Sequence, residues 1–274
     1  MSFAIEHMGK NIWRGRFTGF DESICTHALT ARLGGVSKIP YASMNMALHV
    51  GDDADLVWEN RVRFFQQLGL NPENLVTPEQ VHGENIVRVT AKDAGRGAHD
   101  YDSAISKTDA LITNEAGLPL MLCFADCTPI IFLDEKNKAV GIAHGGWKGT
   151  VASIAAKTAL AMQKEFGTDL NELKVGIGPA IGPCCYEVGE EVAQKFKAAF
   201  KAHADKLLIK AAADKYKLNL WEVNRFQLVD IGVNKANIEM ADTCTACQHK
   251  WFYSYRADNK ITGRMAAIIA LNKY

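Results

Sequence analysis

The chain has 274 residues, of which 48% are hydrophobic and 23% are charged, an ordinary composition for a globular protein with a substantial core. Its 31 lysines and arginines balance its 31 aspartates and glutamates, so no overall electrostatic field attracts nucleic acid or an anionic membrane. The most apolar run, residues 118–133, contains Pro119, Asp126 and Pro129, which excludes it as a membrane span.

Hydrophobic periodicity predicts helices and strands that alternate along the chain. Residues 56–68 have apolar side chains at helical spacing, with Asp53 or Asp55 as the N-cap and Gly69 as the stop. Further helices are predicted from Thr150 to Gly167, over 187–203, and from Asn219 to Ile231. Short apolar runs of strand length lie at 85–89, 118–124, 130–133, 139–143, 173–177 and 264–271. The last run has a helix as its alternative, and the Ile268-Ile269 pair favours a strand.

The order of these elements predicts the fold class. Strands interleaved with helices favour α/β or α+β layering, in which we expect a mixed β-sheet with flanking helices. Neither an internal repeat nor a low-complexity linker interrupts the sequence, so residues 1–274 are predicted to form a single domain. Periodicity alone does not give the order of the strands.

The cysteines and the N-terminus bear on the cellular compartment. Seven cysteines are an odd number, and their spacing does not resemble a secreted disulfide framework. The N-terminal apolar stretch is interrupted by Glu6 and is too short for the core of a signal peptide. We therefore predict a reduced, cytoplasmic protein with free thiols.

Three residues at the polar ends of strand-like runs suit a metal centre. His82 precedes a glycine, Cys127 follows Asp126, and His144 precedes a Gly-Gly pair that lets the backbone approach a bound group. Two imidazoles and one thiolate suit a borderline-soft ion such as zinc. Three protein ligands leave a fourth position open for water or substrate, which is the ligand count of a catalytic zinc site.

Each of these residues also has a plainer interpretation. A single histidine in such a setting is more often satisfied by a main-chain carbonyl, and an unpaired cysteine is more often a small buried hydrophobe. The long separations between His82, Cys127 and His144 do not form a short metal-binding knuckle. The metal prediction therefore rests on their joint pattern.

A second metal candidate is the segment Cys244-Thr-Ala-Cys247-Gln-His249. One C-x-x-C is a weak motif for a metal or redox site. A structural zinc site normally has four ligands in two such clusters, and the sequence shows no second C-x-x-C. For the adjacent pair Cys184 and Cys185 we expect packing and not shared coordination of one ion.

Five residues are candidates for binding phosphate: Asn45, Arg61, Lys148, Arg256 and Arg264. Arg61 falls in the predicted helix 56–68, where a solvated helical face is the plainer interpretation. Lys148 shares a glycine-rich turn with His144, just before a predicted helix whose free backbone N–H groups can hold an anion.

Several segments together resemble the YfiH-like family, which is variously called laccase-domain protein, polyphenol oxidase and purine nucleoside phosphorylase. The match runs in order from about residue 30 to the C-terminus. The segments are Thr30-Ala-Arg-Leu-Gly-Gly-Val-Ser37, Pro40-Tyr-Ala-Ser-Met-Asn45, His49-Val-Gly-Asp52, Glu59-Asn-Arg61, Gln80-Val-His-Gly83, Ala125-Asp-Cys-Thr-Pro129, His144-Gly-Gly-Trp-Lys-Gly149, Ile177-Gly-Pro-Ala-Ile-Gly-Pro-Cys-Cys-Tyr-Glu-Val188 and Thr262-Gly-Arg-Met265.

The resemblance implies a single α/β domain and a zinc site made by His82, Cys127 and His144. It also implies phosphorolysis of adenosine and inosine, cleavage of methylthioadenosine, and adenosine deamination. The expected partners are thus a purine nucleoside and phosphate, in a monomer or homodimer that binds neither nucleic acid nor a membrane. Some bacterial members are linked to peptidoglycan editing instead.

The chain departs from the family pattern in three places. H-A-G-W-R-G has Lys148 in place of the arginine, so a point charge replaces a forked guanidinium. The usual S-Y-R-R-D reads Ser254-Tyr-Arg256-Ala-Asp258 and so has one arginine fewer, while A-D-C-x-P is kept with Thr128. The first two departures bear on phosphate binding and leave the three metal residues unchanged.

The expected chemistry has two parts. In deamination, a catalytic zinc activates water for attack at the purine C6, with Asp126 or Asp109 shuttling the proton. In phosphorolysis, Arg61 and Lys148 would position phosphate against an oxocarbenium-like ribosyl centre.

Two other activities use the same residues. Copper-dependent oxidation of phenols is one, with Cu²⁺ in place of Zn²⁺, although the eight histidines contain no His-x-His pair. A cysteine hydrolase or amidase acting on peptidoglycan precursors is the other, with Cys127 as the nucleophile and His144 or His82 as the base.

Overall fold

The structure is a computed structural model that describes residues 3–201 and 203–273. Its strands are β1 (Phe3–Gly9), β2 (Ile12–Phe17), β3 (Cys25–Thr30), β4 (Ile86–Arg88), β5 (Ala110–Thr113), β6 (Leu120–Phe124), β7 (Thr128–Asp134), β8 (Ala139–Gly145), β9 (Lys174–Ile177), β10 (Glu187–Gly189), β11 (Leu208–Ala212), β12 (Lys215–Leu218), β13 (Ile238–Met240) and β14 (Met265–Leu271). Its α-helices are α1 (Ala54–Leu68), α2 (Trp147–Val151), α3 (Ile154–Phe166), α4 (Glu190–Ala199), α5 (Ala204–Leu207) and α6 (Leu220–Asp230).

Within these residues the strands form three sheets. The five-stranded sheet has the order β1-β2-β3-β14-β6, and all its neighbours are antiparallel. The six-stranded sheet has the order β13-β9-β7-β8-β5-β4 and is mixed, because its two edge pairs are parallel and its central pairs antiparallel. A small sheet, β10-β12-β11, packs with α4.

The two large sheets pack face to face, and the alternation of side chains along each strand explains how. In β14, Ala267 and Ile269 lie in the core between the sheets, whereas Ile268 faces a cluster that includes Phe64 of α1. In β7, Ile131 belongs to the same intersheet core, and its neighbours in the strand face α3 and α6. The layers are therefore α1, the five-stranded sheet, the six-stranded sheet, and the α3–α6 pair.

The predicted mixed α/β fold with flanking helices is confirmed, with more than one sheet. Each of the six predicted strands corresponds to a strand, and the run 264–271 forms β14 and not a helix. Helix α1 matches its prediction: Asp53 caps it by accepting from Asp55 N, and Gly69 ends it in the left-handed conformation. Among the described helices, none has both the length and the apolar composition needed to cross a membrane.

Two helix predictions are corrected. The segment from Thr150 to Gly167 is two helices, because Ser153 adopts φ 64° and separates α2 from α3. In the predicted helix 187–203, the first three residues form β10, and α4 ends at Ala199. Ala202 of that prediction lies outside the described residues.

Candidate metal centre

The fold brings His82, Cys127 and His144 together. Cys127 precedes β7, His144 lies near the end of β8, and these strands pair with Pro129 opposite His144. The ligand atoms of the three side chains lie within 4.8 Å of one another, and the two imidazole centroids are 4.7 Å apart. The sequence predicts this convergence from three distant segments.

His82 is held in place by a buried carboxylate. Its backbone has φ 59°, a left-handed conformation that is uncommon outside glycine. Asp109, which precedes β5, stabilises this turn: Oδ1 accepts from His82 N at 2.9 Å, and Oδ2 accepts from Val81 N at 3.2 Å and Gly83 N at 2.7 Å. Three successive backbone N–H groups are thus bound by one side chain.

The same carboxylate orients the second imidazole. His144 Nδ1 lies 2.8 Å from Asp109 Oδ1, and both side chains are almost completely buried. Because an ionised carboxylate only accepts hydrogen bonds, the proton of His144 belongs on Nδ1. The Nε2 lone pair is then available to a metal, as in the carboxylate–histidine–zinc arrangement. Asp109 is therefore a positioning residue for His144, where the sequence also allowed a proton shuttle.

The ionisation of these groups is mutually supportive. Burial opposes a charged Asp109, but hydrogen bonds from His144, Gly83 and Val81 outweigh it and hold the pKa of Asp109 below its ordinary value. Burial also opposes a Cys127 thiolate, yet a protonated, cationic His144 and hydrogen bonds from both histidines lower the pKa of Cys127 to about 6. Against the effect of burial, the Cys127 thiolate and Asp109 in turn raise the pKa of His144 to about 9. A zinc ion would take the place of the Nε2 proton of His144, and a thiolate and a neutral, fixed imidazole are the forms that ligate it.

A glycine lies directly against all three side chains. A Cβ on Gly146 would lie 3.0 Å from His82 Cδ2, 3.3 Å from Cys127 Sγ and 3.6 Å from His144 Cε1. The Gly-Gly pair after His144 therefore lets the backbone of α2 approach the centre, as the sequence predicts. The donor atoms, their separations and the close backbone fit a borderline-soft divalent ion.

The three side chains open into a cavity of about 450 Å³. This volume lies within the ordinary range of small-molecule sites. Much of the wall is apolar or aromatic, and polar groups are spread around it. The lining residues outside the three are His49, Gln80, Cys123, Ala125, Asp126, Trp147, Ile181, Tyr186, Leu220, Tyr255, Arg256 and Arg264.

Two of the predicted anion-binding residues line the cavity. The Arg264 guanidinium stacks over Tyr255 at 5.5 Å and uses Nη1 for the carbonyl oxygens of Thr262 and Gly263. Arg256 stacks over Tyr186 at 5.5 Å. Each arginine is thus paired with an aromatic wall of the same cavity.

Arg61 is not in the cavity, and the expected phosphate contact is corrected. Its side chain is buried, with 2% exposure, and Nε and Nη2 donate to Met46 O at 3.0 and 2.8 Å. Nη1 donates to the carbonyl oxygens of Gly97 and Ala98. The guanidinium therefore connects two loops to α1. The plainer prediction, that Arg61 lies on a solvent-exposed face of the helix, is also wrong.

Two further candidates also lie outside the cavity lining. The Asn45 amide is fully buried; it donates to Ala47 O and Asp52 Oδ2 and accepts from the backbone N–H of Arg264. Asn45 thus positions Arg264 without facing a ligand. Lys148 is exposed on α2, with Nζ 5.8 Å from the Trp147 ring.

Asp126 lines the cavity, but its carboxylate is engaged. Oδ1 accepts from Thr245 Oγ1 at 2.6 Å, and Oδ2 accepts from the backbone N–H of Arg256 at 2.7 Å. Asp126 therefore fixes the segment that presents Arg256. These contacts give Asp126 a positioning role, and its expected role in catalysis stays a prediction.

Comparison with known proteins shows which family the chain belongs to. Residues 26–272 match the family described as multi-copper polyphenol oxidoreductase laccase. The chain belongs to this laccase-like, YfiH-like family. It is 42% identical over 241 residues to the purine nucleoside phosphorylase YlmD of Geobacillus stearothermophilus, covering 88% of each chain. It is 33% identical over 224 residues to the adenosine deaminase RL5 of an unknown prokaryotic organism, covering 82% of this chain and 85% of that protein. A crystal structure of the Bacillus licheniformis hypothetical protein YfiH superposes with a TM-score of 0.93 at 36% identity, covering 98% of this chain and 99% of that one.

In this YfiH-like chain, sequence patterns alone did not point to several cavity residues. Trp147, Tyr186, Tyr255 and Leu220 supply apolar surface, and aromatic residues give no sequence signal that separates a wall from a core. Gln80 bonds both N and O of Cys123, and so its amide is fixed at the cavity edge. The sequence feature that could have indicated a role for Gln80 in the site is its position in the Gln80-Val-His-Gly83 segment, two residues before His82.

Four of the six remaining cysteines also come together, which corrects the expectation that the C-x-x-C has no partner cluster. Cys184, Cys185, Cys244 and Cys247 place their sulfur atoms within 4.8 Å of one another. Cys184 and Cys185 therefore do not serve packing alone, because each sulfur faces the sulfur of Cys247 at 3.5 and 3.4 Å.

Proposed function

We propose that this chain is a zinc-dependent purine nucleoside phosphorylase that also deaminates adenosine. Adenosine, inosine or methylthioadenosine would react with phosphate to give the free base and the corresponding pentose 1-phosphate. The observation that carries the proposal is a thiolate and two imidazoles converging in a cavity that also presents two arginines and aromatic walls. The names of the relatives support the same assignment.

The nucleoside would bind through stacking of its purine base on aromatic rings and through hydrogen bonds to the edge of the base. Trp147, Tyr186 and Tyr255 offer rings on which a purine can stack, and Leu220 adds apolar surface. The fixed Gln80 amide and His49 offer hydrogen-bonding groups at the same cavity. A site of this composition binds a base by stacking and orients it by few polar contacts.

Phosphate would be held by Arg256 and Arg264. A guanidinium presents paired N–H groups to phosphate oxygens, and two of them offset much of the charge of the anion. In phosphorolysis a phosphate oxygen bonds to C1′ of the ribose while the glycosidic C–N bond breaks, and the purine leaves with the bonding electrons and gains a proton. The arginines would hold phosphate in line for that displacement.

His82, Cys127 and His144 would hold the metal. When bound, zinc supplies Lewis acidity at its open coordination position, which is the requirement for deamination at the purine C6. Asp109 keeps the Nε2 lone pair of His144 directed to the ion by binding Nδ1. Gly146 leaves the space that the three side chains need.

The first test is a product assay. Wild-type protein incubated with adenosine and phosphate should yield adenine and ribose 1-phosphate, with inosine as a minor product. The Cys127→Ala variant should lose both activities by at least about 100-fold. Cys25→Ala, a change in the distant β3 core, serves as the matched control. Undiminished product from Cys127→Ala, or no product from the wild type, would contradict the proposal.

The second test separates the arginines from the lysine. Arg264→Ala and Arg256→Ala should each raise KM for phosphate by about tenfold or more, because each removes a charge-assisted contact. Lys148→Ala should leave this KM within about twofold of wild type, since its side chain is exposed outside the cavity lining. A phosphate KM that depends on Lys148 alone would reverse the assignment.

One contact also supports a cysteine hydrolase acting on amide bonds of peptidoglycan precursors. Cys127, His144 and Asp109 form a nucleophile–base–orienting series, with His144 bonded to both of the others. Metal separates the two proposals. Amide hydrolysis that survives a chelator and is abolished when iodoacetamide labels Cys127 would favour the hydrolase.

Copper oxidation of phenols remains the other alternative because of the family description. A His₂Cys set can bind one copper, but one ion does not reduce dioxygen by four electrons. Metal analysis of protein purified without added copper decides between the ions. Cytoplasmic location, a monomeric or homodimeric state, the single domain and the absence of nucleic-acid or membrane binding stay predictions.

A further inference from the structure

We propose that Cys184, Cys185, Cys244 and Cys247 bind a second zinc ion in a closed, structural site. All four sulfur atoms lie within 4.8 Å of one another, and Cys247 Sγ lies 3.5 Å from Cys184 Sγ and 3.4 Å from Cys185 Sγ. A tetrahedral ion with Zn–S bonds of about 2.3 Å holds its sulfurs about 3.8 Å apart. The four sulfur atoms therefore have the spacing of a tetrathiolate site.

The adjacent cysteines face the same side because the chain turns there. Cys185 N and Tyr186 N both donate to Gly182 O, at 2.9 and 2.8 Å. In an extended segment, neighbouring side chains would point to opposite faces. The turn directs the thiols of both Cys184 and Cys185 to Cys247 and so supplies the ligand pair that the C-x-x-C lacks in sequence.

The other half of the site is fixed by backbone pairing. Ala180 and Cys244 form a parallel β-bridge, in which Ala180 N donates to Thr243 O and Thr245 N donates to Ala180 O. Gly182 N donates to Cys244 Sγ at 3.2 Å. A backbone N–H directed at sulfur is a typical outer-shell contact of a metal thiolate, because it stabilises the negative charge.

The donor set differs from that of the cavity centre. Four thiolates fill a tetrahedral ion and leave no open position, so the ion would be structural and not catalytic. Binding exchanges four S–H protons for four Zn–S bonds, with no change in oxidation state and with protons released to solvent. The resulting site has a net charge of −2, and Lys217 Nζ lies 3.5 Å from Cys184 O to offset part of it.

This ion would stabilise one wall of the cavity. Tyr186 lines the cavity and directly follows Cys185. Thr245 lies between Cys244 and Cys247 and donates to Asp126, which is adjacent to Cys127. Removing the ion would loosen both segments. The inference does not depend on which reaction the cavity performs.

The experiment uses full-length protein from zinc-supplied cells, purified without chelator. Wild type should contain two zinc ions per chain, and zinc-edge X-ray absorption should give about 2.5 sulfur ligands per zinc, the mean of one and four. Cys127→Ala should keep one zinc with four sulfur ligands. Cys247→Ser should lose that ion and keep the zinc of the cavity centre.

Cobalt(II) added to the metal-free Cys127→Ala variant gives a second readout. Four-sulfur coordination should produce intense tetrahedral d–d bands and a sulfur-to-cobalt charge-transfer band. Cys25→Ala, which removes a cysteine outside the cluster, is the control and should keep both zinc ions. Should Cys247→Ser not fold, the wild-type absorption data and the cobalt spectrum still test the site.

Several results would overturn the inference. The first is a single zinc per wild-type chain that is lost in Cys127→Ala. The second is an X-ray absorption result near one sulfur ligand per zinc. The third is a disulfide among the four cysteines in protein purified under reducing conditions. Failure of the nucleoside assay alongside a four-sulfur zinc would contradict only the proposed function.

Discussion

Asp109 and His144 are joined by a buried hydrogen bond of 2.8 Å between Oδ1 and Nδ1. The carboxylate that fixes this imidazole also binds three consecutive backbone N–H groups around His82. Two of the three candidate ligands are thus positioned by one residue that does not itself coordinate. Changes at Asp109 should therefore affect both ligands together.

Asp109→Asn should weaken metal binding by about 10- to 100-fold, because the amide has no charge and replaces one of the two accepting oxygens by an NH2 group that faces N–H donors. Competition with a fluorescent zinc chelator measures the affinity. Asp134→Asn is the matched control, since Asp134 is also buried but bonds Asn137 at the far end of β7. Equal affinity in both variants would show that Asp109 does not orient the ligand.

Gly146→Ala should lower the affinity for the metal while the protein stays folded. The added methyl would lie 3.0 Å from His82 Cδ2 and 3.3 Å from Cys127 Sγ, so these two side chains must move by a few tenths of an ångström, whereas His144 Cε1 at 3.6 Å is in ordinary contact. We expect about tenfold or greater loss of metal affinity. Gly189→Ala is the control, because its Cβ meets nothing within 4 Å and its φ of −78° suits alanine. Full zinc content in Gly146→Ala, measured by mass spectrometry, would refute the expectation.

Arg61→Leu should destabilise the fold by about 3 kcal/mol or more, because it leaves the buried carbonyl oxygens of Met46, Gly97 and Ala98 without their donors. Urea unfolding measures this free energy. Arg63→Leu, on the exposed face of the same helix, should change it by less than about 1 kcal/mol. The folded Arg61→Leu protein should keep its KM for phosphate, and a selective rise in that KM would restore Arg61 to the binding site.

His27 should make the fold sensitive to acid. Burial, with the charges of Arg14 and Arg16, lowers the pKa of His27 from 6.5 to about 3 in the folded protein, and its Nε2 accepts from Phe17 N. Between these pKa values the unfolded chain binds more protons, so stability rises with pH and is lost as pH falls. The contribution approaches about 1.4 kcal/mol per pH unit between pH 6.5 and 3.

His27→Gln removes this titration and should give a correspondingly shallower dependence of unfolding free energy on pH over that range. His7→Gln, at an exposed site in β1, should keep the wild-type slope. Parallel curves for wild type and His27→Gln would mean that His27 does not drive the acid sensitivity.

The sequence predicted those features that local chemistry determines. Cys127 directly precedes β7 and His144 lies near the end of β8, and the antiparallel pairing of these two strands places the two residues together. The orienting role of Asp109 was not visible, because nothing near it in sequence marks its contacts with residues 81–83 or His144. The same holds for Arg61, whose three carbonyl partners lie in two distant loops.

The cysteine cluster shows a second limit of local reasoning. Spacing identified Cys244 and Cys247 as a pair, but the turn at Gly182 that redirects Cys184 and Cys185 depends on how two loops meet. The four cysteines could therefore not be predicted as one ligand set from sequence, because tertiary contacts bring the two pairs together.

Cys127 lies at the crossover where the chain leaves β6 of the five-stranded sheet and enters β7 of the six-stranded sheet. The pairing of β7 with β8 holds Cys127 beside His144, so loss of this pairing on unfolding would separate the two candidate ligands. An ion bound by both would therefore favour the folded state, and saturating metal should raise the melting temperature by mass action.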